Sequence, residues 1–221
     1  DNTAGVSLRI NSPGGSPVQA GYIYDEIKRL REKNPDIPLY AVVTDMCASG
    51  GYYIAAAADE IYVDKASIIG SIGVRMDSFG FVGTMEKLGV ERRLMTAGEH
   101  KGLLDPFSPV KEFEKQHVQG MLDELHQHFI NAVKQGRGNR LQEDEKVFSG
   151  LFWSGEKSIE MGLADALGSS SYVAREVIKA ETLKDFTRRE DVFERFIEKL
   201  GASMTATFVK LTGLSQGPII K

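Results

Sequence analysis

Few residues in this chain have both the chemistry and the surroundings to begin a covalent reaction. Ser49 stands in Asp45-Met46-Cys47-Ala48-Ser49-Gly50-Gly51-Tyr52-Tyr53, where a buried strand should end and a short apolar helix, Tyr53 to Ala58, should begin. A serine at a strand-to-helix turn is exposed to substrate, and the amides that follow it point at any developing oxyanion. Ser-Gly-Gly also makes an ordinary turn and helix N-cap, so the turn alone leaves both readings open. The G-x-S-x-G elbow is incomplete because position 47 is cysteine. Cys47, at an apolar strand end with no evident histidine, reads as a small core residue.

A serine nucleophile needs a base. The chain has four histidines, His100, His117, His126 and His128, and the last three fall on one long charged helix, where a surface role is the simpler reading. There is no H-E-x-x-H and no histidine pair at a convincing metal spacing, which argues against a zinc hydrolase and against any metal or other cofactor. Lysine is the other base, provided burial leaves its amine neutral. The S-x-x-K pattern occurs twice, at Ser108 to Lys111 and at Ser154 to Lys157, and capping explains both serines better because both sit at predicted helix starts. Lys101, in Thr96-Ala97-Gly98-Glu99-His100-Lys101-Gly102, lies in a loop after a strand, where catalytic groups tend to be held; a solvated surface lysine is the competing reading. Gly70-Ser71-Ile72-Gly73-Val74 is either a point of close backbone approach or a polar wall beside the nucleophile.

The elements that must position these groups alternate between strand and helix signals, which predicts an α/β fold. Val6, Leu8 and Ile10 alternate in a strand over Ala4–Asn11, which ends at Asn11-Ser12-Pro13-Gly14-Gly15. Ser16, Pro17 and Gln19 form a capping-box start for a helix whose apolar stripe is Tyr22, Ile23, Ile27 and Leu30. Leu39–Thr44 reads as the strand leading into the Ser49 turn. Further strands are predicted at Glu60–Asp64, Gly70–Met76 and Glu91–Thr96, with a helix over Phe81–Leu88. A loop, Ala97 to Pro109, precedes a long helix over Val110–Gln135 with Phe113, Val118, Met121, Leu122, Leu125, Phe129 and Val133 on one side. Shorter helices follow at Gln142–Phe148 and from Trp153-Ser154-Gly155. Asp191–Leu214 reads as a final amphipathic helix suited to packing or oligomer contact.

Composition bounds the function classes. A chain of 221 residues with 42% hydrophobic and 26% charged content is ordinary for a globular protein. The net charge of −4 with interspersed signs leaves no footprint for nucleic acid. A single cysteine excludes an intrachain disulfide framework. No apolar run reaches the roughly 18 residues needed to span a bilayer, and no signal-peptide pattern is present. The abrupt start on a strand predicts a fragment lacking upstream structure, with which any targeting segment would have gone.

Five stretches, in order and spacing, resemble the bacterial signal peptide peptidase A family of serine–lysine peptidases, including its shorter SohB-type members. They are Leu8-Arg9-Ile10-Asn11-Ser12-Pro13-Gly14-Gly15, Ala48-Ser49-Gly50-Gly51-Tyr52-Tyr53-Ile54-Ala55, Gly70-Ser71-Ile72-Gly73-Val74, Thr96-Ala97-Gly98-Glu99-His100-Lys101, and Phe152-Trp153-Ser154-Gly155-Glu156 with Gly162-Leu163-Ala164-Asp165. The resemblance implies a Clp-protease/crotonase-like α/β fold of repeated ββα units, with a peptidase domain over residues 1–180 and a helical tail over 181–221. It implies Ser49 as nucleophile, Lys101 as general base and Ser71 as the hydroxyl that orients the lysine. Backbone N–H groups of Gly15 and Gly50 would form the oxyanion hole, and Gly14, Gly51 and Gly70 would line the substrate. It further implies peptide substrates rich in apolar residues, such as cleaved signal peptides, and no cofactor. A homo-oligomer in which the lysine can come from a neighbouring protomer is implied too. So is residence at the bacterial inner membrane, with the catalytic domain on the extracytoplasmic side, through an N-terminal anchor absent from this chain. The family's extra strand–helix stretch before the Pro-Gly-Gly strand is also absent, His100 has no counterpart expectation, and the tail matches only loosely.

Two other classes share the fold. A crotonase-type acyl-CoA enzyme would hold a thioester enolate with the same paired amides, but needs a carboxylate acid/base and would leave Ser49 and Lys101 idle. An inactive membrane-associated scaffold would keep the fold for assembly, and the intact set of Ser49, Lys101 and Ser71 argues against it.

Overall fold

The run Leu-Tyr-Ala-Val-Val-Thr-Asp-Met-Cys-Ala is nearly continuous in apolar residues, as a parallel strand covered on both faces requires. It forms β2 (Leu39–Ala48), the spine of a six-stranded sheet. In this computed structural model residues 3–142, 144–180 and 182–187 are described. The chain divides into one unit over residues 1–181 and another over 182–221. The fold below is that of the first. Thr182–Thr187 has no regular secondary structure, and the expected helix over Asp191–Leu214 lies outside the described residues.

β1 (Val6–Ser12) runs parallel to β2 along one edge. β3 (Glu60–Val63) and β4 (Ile68–Gly70) meet the opposite edge in succession, β3 against Tyr40–Val42 and β4 against Met46–Ala48. β5 (Phe152–Ser154) pairs antiparallel with β4, and β6 (Ala166–Leu167) pairs parallel with β3. Ile10 faces Val43 while Ser12 faces Cys47, so β2 bulges just before the Ser49 turn. Side chains satisfy the displaced backbone: Ser67 Oγ donates to the Thr44 carbonyl at 2.6 Å and Thr44 Oγ1 to the Ile10 carbonyl at 3.3 Å. Successive β2 residues go to opposite faces. Ala41, Val43 and Cys47 join the main core with Tyr52, Ile61, Ile69, Phe129, Val133 and Leu163, whereas Val42 packs with Tyr62 and Val173 on the other side. Helices on the sheet of mostly parallel strands give the α/β fold that the resemblance implies.

α1 (Pro17–Lys33) starts as expected, with Ser16 Oγ accepting from the Gln19 N–H. Its buried face is different from the predicted stripe. Ala20 and Tyr24 are buried, Ile27 packs on the core, and Tyr22 is 71% exposed. α2 (Gly50–Ala55) follows the Ser49 turn, and α3 (Val82–Leu88) stands where a helix was predicted. α4 (Glu112–Arg137) buries Glu114 in its first turn and its apolar residues only toward the C-terminal third, at Phe129, Ala132 and Val133 beside Arg137, while Phe113 is 50% and Met121 43% exposed. α5 (Gly155–Glu160) is capped by Ser154, which accepts from the Lys157 N–H, so this S-x-x-K pair is a helix start. Ser108 is not one: it donates to Asp105 Oδ2, and α4 begins later, with the Glu114 carboxylate accepting from the Lys111 N–H.

Two expected strands are missing. β4 ends at Gly70 rather than continuing to Met76, and Glu91–Thr96 is unpaired and exposed. A strand exists only with a neighbour to bond, and among the described residues no strand pairs with residues 71–76 or with Glu91–Thr96. The stretch is instead held by local contacts. Phe81 stacks on Phe107 at 5.5 Å, Arg92 lies over the same ring and pairs with Asp105, and the Phe81 N–H donates to the Pro106 carbonyl.

Candidate active site

Ser49 emerges from the bulged end of β2 at φ 50°, ψ −123°, a conformation that a residue with a Cβ rarely holds. The ladder enforces it from both sides. The Ser49 N–H donates to the Gly70 carbonyl at 2.9 Å, and the Ser49 carbonyl accepts from Tyr53 at 3.0 Å in the first turn of α2. Despite its place before a helix, the hydroxyl makes no capping bond. The Ser49 hydroxyl therefore does not act as a helix cap, and among the described residues Oγ has no hydrogen-bond partner.

The Pro-Gly-Gly turn after β1 folds against this serine. A Cβ on Gly14 would stand 2.7 Å from the Ser49 Cβ and 3.1 Å from the Gly50 nitrogen, and Gly14 sits at φ +115°, so no side chain fits. A Cβ on Gly50 would lie 3.3 Å from the Gly15 nitrogen, which brings those two amides side by side. Neither N–H has a partner among the described residues. Two unpaired amides next to a free hydroxyl can stabilise an oxyanion at a carbonyl attacked by that hydroxyl.

Ser49, Gly14, Gly15, Gly50 and Ser71 line one cleft of about 880 Å³. Its other walls combine apolar residues, Pro17, Ala20, Tyr53, Val74, Leu125 and Phe129, with the polar Arg75, His126 and Ser149. Tyr53 is set by aromatic contacts to Tyr24 and Phe129 at 5.3 and 5.0 Å. Ser71 also has positive φ, 54°, and its N–H donates to the Leu151 carbonyl at 2.7 Å. Gly51 and Gly70 lie off the lining: Gly51 packs on Ser12, and Gly70 on Leu151 and Trp153. Lys101 is exposed on a turn closed by its N–H to the Gly98 carbonyl and does not line the cleft of its own chain. Cys47 is fully buried and burial pushes its thiol pKa up, so it stays protonated core.

Sequence reasoning passed over the polar lining residues Arg75 and Ser149, and read His126, which also lines the cleft, as a surface residue. His126 is half-buried with Nε2 3.1 Å from the Ile72 carbonyl. Its spacing to Phe129 and Val133, on the buried face of α4, was the available signal.

A buried polar tie braces α2 from behind. Tyr52 donates to the Leu163 carbonyl at 2.7 Å, inside the Gly162-Leu163-Ala164-Asp165 stretch. Arg137, 1% exposed, donates to the Gly162 carbonyl and bidentately to Asp165, which also accepts from the Ile61 N–H. Burial raises the Asp165 pKa, but the Arg137 hydrogen bonds and charge outweigh it and hold the carboxyl below its usual range.

The fold is that of an α/β domain with a serine at the turn between β2 and α2. A family model described as peptidase family S49 matches residues 31–184, more than half of the chain, and the chain belongs to that family. It is 32% identical over 217 residues to a Methanocaldococcus jannaschii protein named "Putative protease", covering 98% of this chain and 68% of that one. It is 30% identical over 216 residues to the chloroplastic serine protease SPPA of Arabidopsis thaliana, covering 94% of this chain and 32% of that protein. A Brucella melitensis protein named Na(+)/H(+) antiporter NhaA is 46% identical over 163 residues, 74% of this chain but only 22% of that protein. Among the described residues here no helix is long and apolar enough to cross a membrane.

Proposed function

We propose that this domain is a serine endopeptidase with Ser49 as nucleophile and Lys101 as base, cleaving apolar peptides such as released signal peptides. One observation carries the reading: Ser49 holds a strained turn with its hydroxyl uncapped, beside the two unpaired amides of Gly15 and Gly50, in an open, partly apolar cleft. In this mechanism the neutral Lys101 amine takes the Ser49 proton as Oγ bonds to the peptide carbonyl carbon. The oxyanion accepts from the Gly15 and Gly50 N–H groups. Collapse breaks the C–N bond, and the lysine ammonium gives its proton to the leaving amine. A water molecule, deprotonated by Lys101, then hydrolyses the acyl-serine ester. Ser71 orients the lysine. Lys101 is off the cleft of its own chain, so a neighbouring protomer of a homo-oligomer supplies it. The domain acts at the outer face of the bacterial inner membrane.

An acyl-CoA reading lacks its acid/base group, because no Asp or Glu lines the cleft. Hydrolysis of apolar fluorogenic peptides tests the proposal. Ser49→Ala and Lys101→Ala should each lose roughly two to four orders of magnitude in kcat/KM. A lysine base works only as the free amine, so activity should rise toward alkaline pH. Mixing the two inactive variants should restore part of the activity if the site is shared. Undiminished hydrolysis in both variants would sink the dyad.

A further inference from the structure

Helix α4 sends one polar side chain into the cleft for which the serine–lysine chemistry has no use. His126 lines it between Leu125 and Phe129, and its Nε2 lies 3.1 Å from the Ile72 carbonyl. A carbonyl oxygen only accepts, so this nitrogen carries hydrogen whether the ring is neutral or protonated. Nε2 is therefore unable to take the serine proton. Its partner is informative. Ile72 lies beyond the end of β4, so its carbonyl has no ladder partner, and His126 is the donor it meets among the described residues. The Ile72 side chain is fully buried, while its neighbours Ser71 and Gly73 both line the cleft. Ser71 keeps a positive φ, which a non-glycine residue holds only where its surroundings enforce it. Two bonds brace this turn: the Ser71 N–H to the Leu151 carbonyl at the residue itself, and His126 to the Ile72 carbonyl one residue on.

We propose that His126 is a positioning residue: by donating Nε2–H to the Ile72 carbonyl it fixes the Ile72–Gly73 peptide, one unit beyond the peptide that leaves Ser71, and so steadies the backbone from which the Ser71 hydroxyl meets the base. The inference rests on the reading of Ser49 as nucleophile and Ser71 as the group that orients its base. Glutamine at 126 can still donate an amide hydrogen to the carbonyl, whereas leucine fills similar space without a donor.

The test is steady-state hydrolysis of an apolar fluorogenic peptide by the whole chain, with melting temperature measured on each variant. His126→Leu should lower kcat about tenfold, the scale of one lost hydrogen bond, and leave KM within about twofold. His126→Gln should return kcat to within about threefold of the unmodified protein. In a double-mutant cycle, Ser71→Ala with His126→Leu should lose no more than Ser71→Ala alone, because the histidine acts only through that serine. Equal losses for the leucine and glutamine variants would overturn the proposal, as would a change confined to KM or losses that multiply in the cycle. If His126→Leu does not fold, His126→Asn replaces it, since the shorter amide stops short of the carbonyl. Ser49→Ala separates the two levels. Activity surviving in that variant overturns the catalytic reading and this inference with it, whereas a dead Ser49→Ala beside a fully active His126→Leu overturns this inference alone.

Discussion

Replacing Ser49 by glycine should make the protein more stable and catalytically dead. At φ 50° and ψ −123° the serine Cβ is held in a region that costs about 1–3 kcal/mol for a residue with a side chain. Glycine removes that strain but loses about 0.5–1 kcal/mol more chain entropy on folding. The balance is a gain of up to about 2.5 kcal/mol, with a Tm rise of about 2–4 °C per kcal/mol for a domain of this size. Ser49→Ala keeps the strained Cβ, and with no capping bond to lose it should stay within about 0.5 kcal/mol of the unmodified protein. An ordinary helix cap behaves with the opposite signs, alanine costing about 1 kcal/mol and glycine a few tenths. Thermal and urea unfolding of the two variants, beside a peptide-hydrolysis assay, reads both quantities. A Ser49→Gly variant no more stable than the parent, together with a loss near 1 kcal/mol in Ser49→Ala, would refute the elbow and restore the cap.

Two further perturbations probe the frame around the serine. Gly14→Ala should lower stability by about 1–3 kcal/mol and kcat/KM by at least about a hundredfold, because its Cβ would press on Ser49 at 2.7 Å and at a positive φ; a Tm and kinetic comparison with Gly21→Ala, whose Cβ meets nothing within 4 Å, checks it. Asp165→Asn should destabilise by about 3–5 kcal/mol, since it leaves the buried Arg137 guanidinium without its carboxylate. The folded-state pKa of Asp165 is depressed, so its contribution is complete above the ordinary aspartate range near ~4 and is lost as pH falls through the lower folded value. Urea midpoints measured from neutral to acid pH should therefore fall more steeply for the unmodified protein than for Asp165→Asn, and parallel curves would count against the pairing.

Much of the frame was legible because its signals are local. The capped start of α1 at Ser16-Pro17, the apolar run of β2 and the turn at Ser49 each depend on a few adjacent residues, and each stands where those residues place it. Burial was less legible. Tyr22 repeats at helical spacing yet faces outward, while Ala20 and Tyr24 face the core, because periodicity marks an apolar stripe without saying which neighbour will cover it. The strands expected at Gly70–Met76 and Glu91–Thr96 failed for a related reason, since β structure is a pairing property and the partner must be supplied from elsewhere in the fold.

The sequence by itself determined the family and the order in which a serine, glycine turns, a second serine and a lysine occur along the chain. Only the tertiary structure decided the conformation of Ser49 and the groups that surround its hydroxyl. The bulge in β2, the bond from the Ser49 N–H to the Gly70 carbonyl and the packing of Gly14 against its Cβ lie far apart in sequence, and together they twist the residue out of cap geometry and free its hydroxyl. The same convergence brought His126 to the Ile72 carbonyl and left Lys101 off the cleft of its own chain. Which hydrogen bonds a side chain makes depends on what folding carries to within about 3 Å of it, and the order of residues along a chain does not state that.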